Sequence, residues 1–149
     1  MRQYKFRAKD LSGKWVFGNL IELKSKTTEM YYIHNGLNQP CTNDFWEDFT
    51  EVDKKSICQL AKTVDGVEYY DGDIAKTNDK AMLKVILTWV KEYSMFCWLT
   101  VNEYKAYQVS FEMLDFDKIL FWTYAFGDKH AKDITIIGNV TDNPELINE

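Results

Sequence analysis

The sequence predicts a mainly β protein, and three observations lead there. Aromatic residues make up 15% of the chain, with nine Tyr, nine Phe and five Trp, and such side chains suit a pleated, half-buried surface. Several segments alternate apolar and polar residues with the two-residue period of a strand. Turn pairs such as Asn35-Gly36 and Asp65-Gly66 punctuate those segments.

The first element is clear. Tyr4, Phe6 and Ala8 point one way while Lys5, Arg7 and Lys9 point the other. Residues 10–14, Asp-Leu-Ser-Gly-Lys, supply a turn. Trp15, Phe17, Ile21 and Leu23 share one parity in a second strand, so the two segments read as a hairpin. Gly18 inside that strand marks a bulge or a close backbone approach. Met30 to His34 is a third strand, ended by Asn35-Gly36. Residues 37–50 lack a clear period and hold Pro40 and the stretch Phe45-Trp46-Glu47-Asp48-Phe49. They read as a loop or a short helical turn. A domain boundary is expected near Leu60, giving an N-terminal β meander at 1–60 and a second domain at 61–149.

The second half repeats the β pattern. Val64-Asp65-Gly66-Val67 is a tight turn, and Tyr70-Asp71-Gly72-Asp73-Ile74 leads into a strand. Met82 to Val90 alternates, with Leu83, Val85, Leu87 and Trp89 on one face and Lys84 and Thr88 on the other. Met95 to Leu99 returns as its partner. Tyr104 to Phe111 is read as a further strand. Residues 114–126 fit a strand or a helix equally well. Ile134 to Val140 is the last strand. Asn143-Pro144-Glu145 has the N-cap, first-position proline and acidic first turn of a short helix.

Composition narrows the function classes. The 149 residues are 46% apolar, enough to bury a core without metal or disulfide support. The net charge of −5 disfavours nucleic-acid binding by the chain as a whole. A local basic face around Arg2, Lys5, Arg7, Lys9 and Lys14 keeps that function as an alternative. Cys41, Cys58 and Cys97 form no C-x-x-C pair, so neither a zinc site nor a redox motif has its spacing. The start of the chain lacks the apolar core of a signal peptide, and no run is long enough to span a membrane. A cytoplasmic protein with free thiols and no membrane contact is therefore expected.

No motif marks a catalytic, cofactor-binding or metal-ligating residue, and no cofactor is expected. Asp71-Gly72-Asp73 lacks the ligand spacing of a hard-cation loop. It reads as a turn in which Gly72 takes a special conformation and Asp73 accepts from backbone amides. His34 and His130 stand beside no nucleophile at a catalytic spacing and read as exposed loop residues. Cys58 and Cys97 sit among apolar neighbours and read as core, while Cys41, in a looser polar segment, is the better candidate for a reactive thiol. Tyr31, Tyr32, Trp46, Trp89, Trp98, Trp122 and Tyr124 exceed what a small core readily holds. Either all of them pack within two sheets, or some form an exposed aromatic contact surface concentrated at 37–50 and 114–126.

Three blocks occur in order along the chain. The first is Lys5-Phe6-Arg7-Ala8-Lys9-Asp10 with Lys14-Trp15-Val16-Phe17-Gly18. The second runs from Val52-Asp53 through Ile57, Gln59 and Leu60 to Asp65-Gly66 and Glu68-Tyr69-Tyr70-Asp71-Gly72-Asp73-Ile74. The third is Ile136-Ile137-Gly138-Asn139-Val140 with Asn143-Pro144-Glu145-Leu146. Their order and content resemble the YopX-like family of phage and prophage proteins, which is largely uncharacterised. That family opens on K-F-R-A-W-D and K-W-V-Y-G strands and closes on V-I-G-N-I-Y-E-N-P-E-L-L. The chain departs from the family pattern at Lys9, where the family has Trp, and at Cys58 and Ala61-Lys62. The resemblance implies a small N-terminal β unit, an SH3-like barrel at 61–149, and a phage or mobile-element origin. The expected function is a non-enzymatic accessory protein that binds another protein or self-associates. An enzyme with an unrecognised site is a further alternative.

Overall fold

The computed structural model describes residues 5–34, 48–78, 80–125 and 133–148, and for residues 120–122, 124 and 125 it describes the backbone alone. The described residues form ten strands and three helices, so the protein is mainly β. The strands build two antiparallel sheets. The chain divides into two compact units, Met1–Leu60 and Ala61–Glu149.

In the first unit β1 (Phe6–Lys9), β2 (Trp15–Lys24), β3 (Glu29–His34), β4 (Phe49–Glu51) and the start of β5 (Cys58–Val64) lie in the order β4-β3-β2-β1-β5. The β1–β2 hairpin is closed by one carboxylate. Asp10 Oδ1 accepts from Ser12 N at 2.9 Å, Ser12 Oγ at 2.6 Å and Lys14 N at 2.9 Å. These bonds, the Ser12 hydroxyl first, hold the Asp10 carboxyl below its ordinary pKa. They also fix the register Arg7↔Phe17 and Lys9↔Trp15.

The core of this unit is Ala8, Tyr31, Ile33 and Val52, with Phe6, Val16, Leu20 and Ile57 packed against it. The even residues of β2 therefore face inward. The apolar odd set picked out from the sequence faces away, and its members Phe17 and Leu23 are exposed. The register is the physical reason. Residues directly opposite in an antiparallel pair share a face, so Trp15 and Phe17 must lie with Lys9 and Arg7. A buried hydroxyl closes the other side of β1. Ser56 Oγ accepts from Lys9 N at 2.7 Å and donates to Asp53 O at 2.7 Å.

Gly18 stands where β2 changes partner. Its pairing with β1 ends at Phe6↔Gly18, and its pairing with β3 begins at Asn19↔His34. A Cβ on Gly18 would collide with the backbone carbonyl of His34. Of the bulge and the close approach that the sequence left open, the close approach is present.

In the second unit β6 (Val67–Tyr70) follows β5 across the Asp65-Gly66 turn. Then come β7 (Asp73–Thr77), β8 (Lys84–Val90), β9 (Met95–Thr100), α1 (Val101–Val109), α2 (Phe116–Ala125), β10 (Ile134–Asn139) and α3 (Glu145–Asn148). Strands β7 to β10 form a sheet in the order β10-β7-β8-β9. This sheet is buried on both faces. On one, Ala75, Val85, Leu87, Trp98 and Ile134 pack with Val64 and Tyr69 of the β5–β6 hairpin. On the other, Val90, Cys97 and Leu99 pack with Ile119 of α2, and with Tyr104 and Tyr107 of α1. The alternation expected for β8 is correspondingly blunted, since Ile86 and Thr88 are buried as well as Val85 and Leu87. Trp98 meets Tyr69 edge-on at 6.1 Å. Its indole N–H is buried without an acceptor among the described residues.

Two expectations change here. The segment read as a strand at Tyr104 to Phe111 is helix α1 followed by a 3₁₀ turn, Phe111–Met113. The signal was a capping box. Thr100 Oγ1 accepts from Glu103 N while Glu103 Oε2 accepts from Thr100 N at 2.8 Å. Tyr104, Tyr107 and Phe111 then recur at helical spacing and reach one cluster. Within the ambiguous segment at 114–126 the described residues Phe116–Ala125 are helix α2, and the terminal Asn143-Pro144-Glu145 does open a helix.

Replacing Gly18 with Ala is expected to cost about 2 kcal/mol or more, because backbone must move to admit the methyl group. Urea unfolding of Gly18→Ala against wild type measures it through the midpoint, at unchanged slope.

Candidate contact surfaces

On the first unit, the face of β1 and β2 opposite the core carries interleaved cations and aromatic rings. Lys5 Nζ lies 5.9 Å from the Phe17 ring centre, the Arg7 guanidinium carbon 4.9 Å from Trp15, and Lys9 Nζ 5.5 Å from Trp15. These are cation–π distances. Phe17 is 45% exposed, and Lys5, Arg7, Lys9 and Trp15 are half-buried. Strand β1 is flanked by β2 and β5, so the strip lies on a sheet face and not on a free ribbon. Of the basic residues grouped from the sequence, Lys5, Arg7 and Lys9 share this face. Lys14 is exposed in the hairpin turn, and Arg2 lies outside the described residues. The part the sequence reading missed is the aromatic half of the strip. Its signal was the equal parity of Trp15 and Phe17 opposite Lys9 and Arg7.

On the second unit, the chain between α1 and α2 points some residues in and others out. Phe111 and Leu114 pack into the cluster around Ile119. Tyr93 meets Phe111 edge-on at 5.0 Å and Phe116 at 4.6 Å. Val109, Met113 and Phe116 are exposed, at 78%, 61% and 44%. A fixed frame thus presents three apolar side chains within eight positions of sequence. Trp89 is the exposed Trp among the described residues, and it packs edge-on against Phe96 at 5.0 Å. Trp98 and Tyr31 are core residues. Trp46, most of the 37–50 stretch, and the side chains of Trp122 and Tyr124 lie outside the described residues.

The remaining singled-out residues have structural partners. Gly72 adopts φ +80°, a conformation that glycine reaches without steric cost. Asp73 is buried and accepts from Tyr70 N at 2.7 Å, and Asp71 accepts from Trp89 N at 2.9 Å. The turn reading of Asp71-Gly72-Asp73 agrees with this geometry. His34 is not in a loop. It ends β3, half-buried, with its ring 4.8 Å from that of Phe49. Cys58 and Cys97 are buried thiols, and burial pushes the Cys97 thiol up. Cys41 and His130 lie outside the described residues. Among the described residues, no cluster of His, Cys, Asp and Glu could hold a metal ion, and no helix is long and apolar enough to cross a membrane.

A polar cluster braces the first unit away from the strip. Tyr31 Oη donates to Glu22 Oε1 at 2.8 Å and Glu29 Oε2 at 3.1 Å. Lys24 pairs with Glu22 at 2.8 Å and Lys54 with Glu29 at 2.6 Å. These contacts, the lysines first, hold both glutamates below their ordinary pKa, and they raise that of Lys54.

Neither a protein-family model nor a curated protein matches the chain.

Two outcomes are expected from these contacts. Asp73→Ala strips the acceptor from the Tyr70 amide, in a residue only 2% exposed. Its cost is about 2 kcal/mol in urea unfolding, the penalty of an orphaned buried donor. The second outcome concerns pH. A carboxyl with a lowered folded pKa stabilises the fold above its unfolded value and loses that contribution as pH falls through the folded one. Stability of the wild type should therefore fall below pH 4.5, the ordinary glutamate value. Glu29→Gln should show a shallower acid limb when unfolding is followed across that range.

Proposed function

We propose that this protein is a non-enzymatic accessory protein of phage or prophage kind, working in the cytoplasm of a bacterial host. It acts by contact with another protein or with a second copy of itself. The observation that carries this reading is the apolar set Val109, Met113 and Phe116, held outward at 78%, 61% and 44% exposure. A contiguous exposed apolar patch marks a contact site, and these three positions lie close together in the chain. The frame comes from Phe111 and Leu114, whose burial fixes the same stretch of chain. Two of the polar residues a catalytic reading would recruit have structural partners among the described residues. Asp73 holds a turn, and His34 packs on Phe49.

Kinship with the YopX-like family belongs to the same proposal. Its support is the ordered run of blocks from Lys5 to Leu146. An SH3-like arrangement of the second unit belongs to it too. Val64 and Tyr69 of the β5–β6 hairpin pack on Val85, Leu87 and Trp98 of the sheet, as two layers of a small barrel would pack around one core.

Met113→Glu and Val109→Glu are expected to leave stability within about 0.5 kcal/mol, since both side chains are exposed. They should abolish self-association seen by light scattering, or the partner protein captured from induced cells. A wild-type monomer whose captured proteins are all retained by both variants would sink the reading.

A further inference from the structure

We propose that the apolar stretch between α1 and α2 takes a basic partner, a protein segment in which lysines or arginines are interleaved with apolar side chains. This rests on the contact reading above and names the chemistry of the partner. The charges of the stretch carry it. From Gln108 to Asp117 the sequence holds three carboxylates, Glu112, Asp115 and Asp117, and no base. All three are exposed, as are Val109, Met113 and Phe116. Acidic and apolar side chains are thus interleaved, with Glu112 beside Met113 and with Asp115 and Asp117 on either side of Phe116. The nearest bases in sequence are Lys105, a helical turn before Val109, and Lys118, directly after Asp117. Hydrogen bonds fix the backbone that presents these residues. Ser110 N donates to Ala106 O at 2.9 Å, Met113 N to Ser110 O at 3.2 Å and Leu114 N to Phe111 O at 3.0 Å. Ser110 Oγ accepts from Glu112 N, and Asp115 Oδ1 from Lys118 N, each at 3.3 Å. A surface ordered in advance loses little freedom on binding.

Charge decides between the occupants. A second copy presenting the same stretch would set Glu112, Asp115 and Asp117 against their own counterparts, and like charges facing across an interface cost affinity. A basic segment gains on both counts. Its apolar side chains cover Val109, Met113 and Phe116, and its cations meet the carboxylates between them. The net charge of −5 draws such a segment in from a distance.

The test uses a fluorescein-labelled peptide of leucine and lysine at helical spacing, about four turns long, and reads polarisation on the full chain. A second peptide carries glutamate in place of every lysine. The lysine peptide should bind at low salt and the glutamate peptide should not. The double variant Glu112→Gln with Asp117→Asn should bind the lysine peptide about fivefold more weakly at low salt. That difference should vanish near 1 M salt, where charges are screened within about 3 Å. Met113→Ser should weaken binding about tenfold at every salt concentration, since it removes an apolar anchor. Asp115 is left intact, because it accepts from the Lys118 amide. Thermal unfolding of each variant checks that the fold is retained. Absence of polarisation change with the lysine peptide at low salt overturns the proposal. So does equal binding of the glutamate peptide, or binding that both variants retain in full. Self-association that Met113→Ser removes, without peptide binding, overturns the basic partner and leaves the contact reading standing. A monomer that binds neither peptide, and whose captured proteins Val109→Glu retains, removes both.

Discussion

Antiparallel register is the constraint on which both units rest. Facing residues of two paired strands lie on one side of the sheet, and a slip of one residue sends every side chain to the other. In the first unit the pairing Lys9↔Trp15 and Arg7↔Phe17 decides which half of β2 is core. Val16 and Leu20 go in, and the larger aromatic rings stay out. In the second unit the pairing Leu87↔Trp98 brings the bulkiest buried side chain against the β5–β6 hairpin. Each register is held by polar groups at the strand ends. The three bonds to Asp10 serve β1 and β2, and the Asp71-Gly72-Asp73 turn serves β7 and β8.

Two-sided burial gives the second unit a different chemistry from the first. Its central strands read as nearly unbroken apolar runs because each face meets a covering layer. The hairpin supplies one layer, and α1 and α2 supply the other. Helices on a sheet must anchor their own ends, which is the task of the Thr100–Glu103 capping box immediately after β9. Among the described residues the first unit has fewer buried ones and leans more on polar closure. Ser56 closes β1, and the Tyr31 hydroxyl bridges two glutamates that lysines hold in place. Such exposed pairs add little individually. Together they orient the strands around a small core.

Two groups of side chains stand out at the surface among the described residues. One is the line of cations against rings on β1 and β2. The other is the outward half of the chain between α1 and α2. They differ in chemistry, one pairing cations with aromatic rings and the other purely apolar. Both sit on backbone that neighbouring residues fix in place.

The sequence by itself determined the β character, the hairpin at Lys5 to Leu23, the close approach at Gly18, the turn at Gly72 and the terminal helix. Each of these is a local matter of period, turn chemistry or capping, carried by residues near one another in the chain. It also grouped Lys5, Arg7 and Lys9 on one face, since alternation along a single strand needs no partner. Tertiary structure decided the rest. It chose which parity of β2 is buried, because that depends on the register set by the Asp10 turn. It settled Tyr104 to Val109 as helix beyond the local capping-box signal at Thr100–Glu103, since tyrosines that suit a strand there reach a shared cluster with Cys97 and Leu99. It covered both faces of β8, which no pattern within β8 can specify, since the covering side chains come from distant segments.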